Sequence, residues 1–305
     1  MASAITAACM PVDVPGAYDY CRHVTRRASK TFYWASLFLP YQKRLAAWAI
    51  YALCRSVDDI ADTPEKGRDP LAELAQWRQR LQQVYQGEGT HPIMLAWADM
   101  LRQYDVPLQP VLDLIDGVQT DLGPVRFGTF EELRCYCYRV AGTVGLLMAP
   151  VLGYQSPDAL PCAVNLGIAM QLTNILRDIG EDAQLGRIYL PSAEIAQFGY
   201  CEEALRAGVV NGAFVHLMQF QIARAESYYE QALPGIGLLD PAVQLAIMAS
   251  ARLYRGILGA ITANGYDVFR QRAFVPLSAK VLMMPRLWLN KRLGTGATER
   301  HLASS

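Results

Sequence analysis

The chain has 305 residues, 52% of them hydrophobic, and its 28 Lys and Arg residues balance 28 Asp and Glu residues. This composition predicts a large globular domain with ample apolar side chains, and the zero net charge argues against a nucleic-acid partner, which needs a basic surplus. The seven Cys residues have the spacing of neither a disulfide framework nor a zinc site, which favours reduced thiols in a cytoplasmic protein.

Segments with helical spacing fill most of the chain, and short pieces rich in Gly, Pro and Asp separate them. Alternating strand patterns are scarce, so we predict one all-α domain of roughly ten helices. Residues 1–17 are predicted to be a loose N-terminal segment, residues 18–292 the domain and residues 293–305 a flexible tail. The most apolar run, residues 141–154, is shorter than the ~20 residues of a membrane span and contains Pro150, so no transmembrane helix is predicted.

The first unusual helix ends in YALCRSVDDIADTP, residues 51–64. At about 100° per residue, Tyr51, Arg55, Asp58 and Asp62 share one face. Carboxylates at a helix C-terminus oppose the helix dipole at a cost of about 0.3–1 kcal/mol each, so their placement needs another reason. A solvated polar face is the ordinary alternative, but apolar residues such as Trp48 flank this stripe.

A second stripe follows in residues 165–191, where Gln171, Asn174, Asp178 and Asp182 recur at helical spacing near another helix end. Two facing clusters of carboxylates would repel each other, and a hard divalent cation removes that repulsion. Because the donors are all oxygens, with no His or Cys among them, we predict that they bind Mg²⁺, with Mn²⁺ as an alternative, together with a substrate phosphate.

Two basic residues, Arg55 and Arg177, are interleaved with these acids. They are predicted to bind phosphate oxygens, because a guanidinium group matches the geometry of that anion. The alternative for each is an ion pair within its own helix. No dinucleotide fingerprint, phosphate-binding loop or H-E-x-x-H motif is present, and the four His residues are scattered.

At these residues the sequence resembles the squalene and phytoene synthase family, which joins two allylic diphosphates head to head. The similar segments are ASKTFYWASLFLP, the two acidic motifs and YCYRVAGTVGLLMAPVLG, while KTFYWAS, GRIYLP and NGYDVFRQRAFVP most resemble phytoene synthases. The resemblance implies a single-domain isoprenoid-synthase helical bundle with a central cavity. It implies metal ligands on both walls of that cavity: Asp58 and Asp62 on one, and Asn174, Asp178 and Asp182 on the other.

The resemblance also implies roles in catalysis and substrate binding. Catalysis would involve the four aspartates Asp58, Asp62, Asp178 and Asp182 together with Arg55. Diphosphate contacts would come from Ala28, Ser29, Lys30, Thr31, Tyr51, Arg55, Gln171, Arg177, Tyr254 and Arg272. Aromatic stabilisation of carbocations is expected from Phe32, Tyr51, Tyr136 and Tyr254. Arg272 is aligned through a one-residue insertion at Gly265.

The implied reaction is the Mg²⁺-dependent condensation of two geranylgeranyl diphosphates, through a cyclopropylcarbinyl diphosphate, to phytoene in carotenoid biosynthesis. It ends in proton loss, so no NADPH is expected. The alternatives are a squalene or dehydrosqualene synthase that uses farnesyl diphosphate, and a non-catalytic prenyl-lipid-binding relative. Intact acidic stripes on both helices argue against the non-catalytic alternative.

Four further expectations concern the pocket and the surroundings of the protein. Ser36 shares a helical face with Ser29 and Phe32, so it is predicted to lie one turn deeper in the cavity and to leave room for a twenty-carbon chain. Gly142, Gly145 and Gly167 either make room for prenyl tails or allow close helix packing. Residues 276–292 form either a surface-lying amphipathic segment or a core helix with a basic edge. Because the product is insoluble in water, we expect peripheral membrane association and possible contacts with other carotenoid-pathway enzymes.

Overall fold

The structure is a computed structural model that describes residues 13–63 and 67–274, and these residues form helices joined by turns, with no strand and two isolated bridge pairs. The predicted all-α fold is confirmed, although the described residues hold thirteen α-helices rather than about ten. The helices are α1 Val14–Ala28, α2 Lys30–Ser36, α3 Tyr41–Asp62, α4 Pro70–Tyr85, α5 Pro92–Leu101, α6 Leu108–Gln119, α7 Phe130–Cys137, α8 Thr143–Leu152, α9 Ala159–Gln184, α10 Ser192–Gln197, α11 Glu202–Arg206, α12 Gly212–Ile236 and α13 Pro241–Ala263.

Side-chain caps set several helix starts, including the break that positions α2. Ser29 has an extended backbone, and its Oγ accepts a hydrogen bond from the backbone N of Phe32 at 3.2 Å. The backbone N of Ser29 donates to Thr25 at the end of α1, so one residue ends α1 and begins α2. Such a cap contributes about 1 kcal/mol and fixes the direction in which α2 leaves.

Helix α9 occupies the centre of the fold and packs most extensively against α12, with further contacts to α8 and α13. One hydrophobic cluster surrounds Trp97 and joins α1 with α3 to α6, and a second surrounds Phe214 and Tyr229 and joins α7 with α9 to α13. Because α3 belongs to the first cluster and α9 to the second, the space between the clusters is bounded by the two helices that carry the acidic stripes.

The helix from Phe130 to Leu152 is continuous and longer than predicted. A π-helical segment, Tyr138–Gly142, joins α7 to α8, and α8 continues through Pro150. This helix and α9 are long and apolar enough to cross a membrane by length and composition, a test that buried core helices also pass. Close packing explains the glycines here, because a Cβ at Gly145 or Gly167 would collide with backbone of the facing helix.

Candidate active site

The two acidic stripes line a single cavity of about 710 Å³, its opening to solvent included. Helix α3 contributes Asp58 and Asp62 to its wall. Helix α9 faces them with the polar side chains Gln171, Asn174, Asp178 and Asp182. The predicted confrontation of the two stripes across a shared hollow is therefore found in the structure.

The carboxylates of this cavity are electrostatically costly when they are charged. Burial, together with the neighbouring charges of Asp62 and Asp121, raises the pKa of Asp58 to about 7 against the opposing effect of Arg55. Burial likewise raises the pKa of Asp182 to about 7, with Asp178 as the largest charged contributor. Since desolvation and like charge both favour the neutral acid, a bound cation is what would keep these groups ionised at neutral pH.

The guanidinium groups around the cavity are held by carboxylates of α3 and α9. Nε of Arg177 donates to Oδ1 of Asp178 at 2.8 Å, and Nε of Arg272 donates to the same oxygen at 3.1 Å. Arg55 pairs with Asp59 one turn along its own helix. The ion-pair alternative for Arg55 and Arg177 therefore describes the structure without ligand, and their predicted contacts with phosphate stay a prediction.

Three residues of the site were missed by the sequence reasoning: Asp121, Arg187 and Tyr189. Asp121 accepts hydrogen bonds from the hydroxyl groups of Tyr136 at 2.9 Å and of Tyr189 at 2.8 Å. Burial raises its pKa, although both of these hydrogen bonds oppose that effect. The signal that could have found Asp121 is the one used for the other acids, because it directly follows the C-terminus of α6, against the helix dipole.

Arg187 ties the two sides of the cavity together. Its guanidinium donates to Oδ1 of Asp62, to the backbone O of Ala61 and to the backbone O of Asp121, each at 3.0 Å. Its side chain is only 12% exposed. A buried, fully engaged guanidinium of this kind positions the last turn of α3 against the turn that carries Asp121.

The oxygen ligands of this cavity fit a cation that is bound partly by the protein and partly by a ligand better than a cation bound by the protein alone. Within residues 13–63 and 67–274, no group of three or more His, Cys, Asp or Glu side chains is close enough to hold a metal ion. The wall instead presents separated carboxylate and amide oxygens from two helices. Mg²⁺ commonly uses one or two such carboxylates, several waters and substrate phosphate oxygens.

A second, apolar cavity joins the polar one at Val140, Gln171 and Asn174, which line both. It has about 1270 Å³ of space, its opening included. Its wall is built from α2, α3, α8, α9, α12 and α13, with Met148 and Ile247 among the side chains. The two cavities together suit a ligand with a charged head and a long hydrocarbon tail.

Comparison with known proteins agrees with this geometry. The family model described as squalene/phytoene synthase matches residues 25–279. The chain belongs to the squalene/phytoene synthase family. It is 46% identical over 281 residues to the 15-cis-phytoene synthase of Synechococcus elongatus, covering 88% of this chain and 91% of that protein. It is 42% identical over 276 residues to phytoene synthase 2 of Zea mays, covering 88% of this chain and 68% of that protein.

Solved structures of the family have the same fold. A dehydrosqualene synthase in complex with ligand superposes with a TM-score of 0.86 at 31% identity, covering 92% of this chain and 98% of that chain. The squalene synthase HpnC from Alicyclobacillus acidocaldarius superposes with a TM-score of 0.78 at 29% identity, covering 85% and 97%. The protein is therefore an enzyme of the prenyltransferase class, and this family generally needs a divalent metal.

Six of the thirteen residues that the family resemblance predicted to bind substrate line one of the two cavities, and Gln171 lines both. Tyr136 lines the polar cavity, whereas Thr31, Phe32, Tyr51 and Tyr254 line the apolar one. The rings of Phe32 and Tyr51 stack with their centroids 4.7 Å apart. Burial raises the pKa of Tyr51 to about 12, so its phenol is neutral at physiological pH.

The first predicted diphosphate contacts, Ala28, Ser29 and Lys30, lie beside the cavities rather than in their walls. Ala28 and Lys30 are exposed at the junction of α1 and α2, and Ser29 caps α2. Arg272 reaches Asp178 although its side chain is 55% exposed. The structure thus brings Arg272 to the site and leaves Ala28 and Lys30 at its edge.

The predicted position of Ser36 is wrong. The indole Nε1 of Trp48 donates to Oγ of Ser36 at 2.8 Å, and that Oγ donates to the backbone O of Tyr33 at 2.7 Å. Ser36 is buried and does not line the described cavity. Sharing a face of α2 with Phe32 does not place Ser36 in the cavity wall, because its side chain accepts the hydrogen bond from Trp48 of α3.

Proposed function

We propose that this enzyme is a phytoene synthase, which condenses two molecules of geranylgeranyl diphosphate head to head, through a cyclopropylcarbinyl diphosphate, to phytoene and diphosphate in carotenoid biosynthesis. The observation that carries the proposal is the joined pair of cavities, one lined by the two acidic stripes and the other by apolar side chains. The 46% identity to a cyanobacterial 15-cis-phytoene synthase supports the same assignment.

The polar cavity would hold the diphosphate groups and their cations. Asp58, Asp62, Asn174, Asp178 and Asp182 would bind Mg²⁺, or Mn²⁺ in its place, which neutralises charge on the departing diphosphate. These side chains supply the oxygen donors that such a cation prefers, and all of them line the polar cavity.

Basic side chains of the protein would stabilise the leaving group directly. Arg177 and Arg272 already form hydrogen bonds to a carboxylate at the rim, and guanidinium groups bind phosphate oxygens with the same forked geometry. Preorganised donors of this kind are typically worth a factor of about 10²–10³ each in rate. The donors would act where negative charge develops when the allylic C–O bond breaks.

The apolar cavity would protect the resulting carbocation from water. Its wall offers the aromatic faces of Phe32, Tyr51 and Tyr254, which stabilise positive charge without attacking it. Met148 and Leu166 fill much of the remaining wall and exclude solvent from the reacting carbons. The final proton loss needs no hydride donor, so NADPH is not part of the proposed reaction.

The length of the apolar cavity supports a twenty-carbon substrate. Its α9 wall extends from Gln171 at the polar junction to Ala159, twelve residues away, which corresponds to a rise of about 18 Å. Each carbon–carbon bond of an extended prenyl chain adds about 1.2 Å to its length. The sixteen-carbon main chain of a geranylgeranyl group therefore extends about 18 Å and the twelve-carbon main chain of a farnesyl group about 13 Å. The cavity therefore matches the longer chain.

A second candidate function is dehydrosqualene synthesis from farnesyl diphosphate, since a dehydrosqualene synthase superposes with a TM-score of 0.86. The purified enzyme with Mg²⁺ should be given each diphosphate separately, with and without NADPH, and the hydrocarbon identified by mass spectrometry. We expect phytoene from geranylgeranyl diphosphate and no effect of NADPH. A thirty-carbon product formed at a higher rate would instead support the farnesyl alternative, and no product from either substrate would favour a non-catalytic prenyl-lipid-binding role.

The cellular setting is proposed from the chemistry of the product. A forty-carbon hydrocarbon has to leave for a bilayer, so we propose a cytoplasmic enzyme that associates peripherally with membranes and can contact other carotenoid-pathway enzymes. The predicted membrane-contacting segment, residues 276–292, lies outside the described residues.

A further inference from the structure

The corner between α2 and α3 exposes three large aromatic side chains within eight residues. Trp34, Phe38 and Tyr41 are 64%, 52% and 63% exposed. Tyr41 and Leu37 also line a groove of the surface between α1 and α3, so the exposed aromatic surface is continuous with further apolar side chains. An apolar surface of this kind indicates a contact with another phase or molecule.

Exposed basic side chains outnumber unpaired acidic ones around this corner, because the two acids of the groove, Asp19 and Asp99, are paired with Arg22 and Arg102. Residues 20–57 contain seven Lys and Arg residues and no Asp or Glu, in a chain whose net charge is zero. Arg26, Arg27 and Lys30 are exposed where α1 meets α2. Two other basic residues are engaged by the protein, because Lys43 pairs with Asp240 at 2.8 Å and Arg44 donates to backbone carbonyls of the corner. The exposed surplus is therefore next to the aromatic side chains.

The corner is also connected with the wall of the apolar cavity. Leu39, between Phe38 and Tyr41 in sequence, packs in a small cluster with Leu152 and Leu239. Both of those leucines line the cavity near its end at Ala159. Leu39 thus connects the exposed aromatic corner with side chains that line the apolar cavity.

From these observations we propose that the α2–α3 corner, residues 34–41, is the surface that docks on an anionic lipid bilayer. Trp and Tyr are the residues that favour the interface between lipid and water, and a basic rim complements anionic headgroups. Docking on the bilayer does not depend on the proposed function. Only the release of a hydrophobic product into that bilayer rests on it. A second copy of this chain would not explain the basic rim, since residues of the same sign would face each other.

The test is binding of the full chain to vesicles of phosphatidylcholine with and without phosphatidylglycerol. We expect the wild-type protein to co-sediment with the anionic vesicles and to be released partly by salt, which screens headgroup charge. The variant Trp34→Ser/Phe38→Ser/Tyr41→Ser should lose at least about tenfold in partitioning, because three interfacial aromatic side chains are removed. Leu71→Ser/Val209→Ser, which removes exposed apolar residues elsewhere, should bind like the wild type.

A second measurement places the contact at the corner itself. In a Trp288→Phe background, which removes the tryptophan of residues 276–292, vesicles with brominated lipid should quench a component of tryptophan fluorescence that Trp34→Phe abolishes, because Trp48, Trp77 and Trp97 are buried. Phytoene formation from detergent-dispersed substrate, measured on the triple variant, tests the proposed function separately and should be unchanged. The proposal is overturned if wild-type protein ignores anionic vesicles, if the triple variant binds them equally well, or if its only change is in oligomeric state.

Discussion

Replacing Asp58 by Asn should abolish turnover and yet stabilise the metal-free protein. In the folded state the pKa of Asp58 is raised from 3.8 to about 7, chiefly by burial. A raised carboxyl pKa means that the folded state binds the proton more tightly than the unfolded chain, so stability falls as pH rises from about 4 to about 7. Above pH 7 the full penalty is present, and Asn, which carries no charge, removes it.

The size of the effect follows from the shift. A displacement of about three units corresponds to an upper limit of about 4 kcal/mol, at 1.36 kcal/mol per unit. Asp58 is only partly shielded from solvent, and water reduces the effective penalty, so we expect a gain of about 1–2 kcal/mol at pH 8. For a domain of this size that gain raises Tm by about 2–5 °C. At pH 5 the folded carboxyl is protonated but the unfolded one is already ionised, so about a third of the gain should remain, and the gain should vanish only below about pH 4.

The assay is thermal unfolding in EDTA at pH 5 and pH 8, with the exposed Asp105→Asn as the matched control. Adding Mg²⁺ and inorganic diphosphate should raise the Tm of the wild type and have little effect on Asp58→Asn, because binding stabilises by mass action only where the site is intact. The reasoning is refuted if Asp58→Asn lowers Tm in EDTA at pH 8, or if the change is the same at both pH values.

Three further predictions address the other parts of the site. Asp178→Asn should lower kcat at least about 100-fold with an unchanged helical circular dichroism signal, since this carboxylate faces the cavity and holds two guanidinium groups; an active variant would contradict its role. Arg187→Gln should weaken the apparent Mg²⁺ affinity about tenfold in a diphosphate-release assay, because Arg187 holds Asp62 in place; an unchanged Mg²⁺ dependence would contradict this. EDTA should abolish activity and Mg²⁺ or Mn²⁺ restore it, whereas full activity in EDTA would exclude the proposed cation role.

The fold and the facing stripes were predictable because helical periodicity is a local property of the sequence. Asp58, Asp62, Asp178 and Asp182 each follow the apolar pattern of their own helix, and each opposes its helix dipole. The prediction that both stripes line one cavity came from the family resemblance. The structure adds that α3 and α9 belong to different hydrophobic clusters, which is why a hollow lies between them.

The remaining features depended on contacts between distant residues. The position of Asp121 after the end of α6 marks it as unusual, but the hydrogen bonds that tie it to the site come from Tyr136 and Tyr189, 15 and 68 residues away. The prediction for Ser36 failed because helical spacing shows which residues of α2 share a face but not which part of the protein that face contacts. In the structure Ser36 contacts Trp48 of α3. Hydrogen bonds across such separations have no local sequence signature.

The corrected position of Ser36 moves the determinant of chain length to the closed end of the cavity. Ala159 and Cys162 line the cavity there, about 18 Å and about 14 Å along α9 from Gln171. Ala159→Leu or Cys162→Leu should shorten the space by about one prenyl end group, at a cost of about 1–3 kcal/mol for the longer chain only. The ratio of kcat/KM for geranylgeranyl over farnesyl diphosphate should then fall about tenfold or more, whereas the exposed Ala207→Leu should leave it unchanged. A parental ratio in both cavity variants would show that the tail does not reach this end, and the length argument for a twenty-carbon substrate would fail with it.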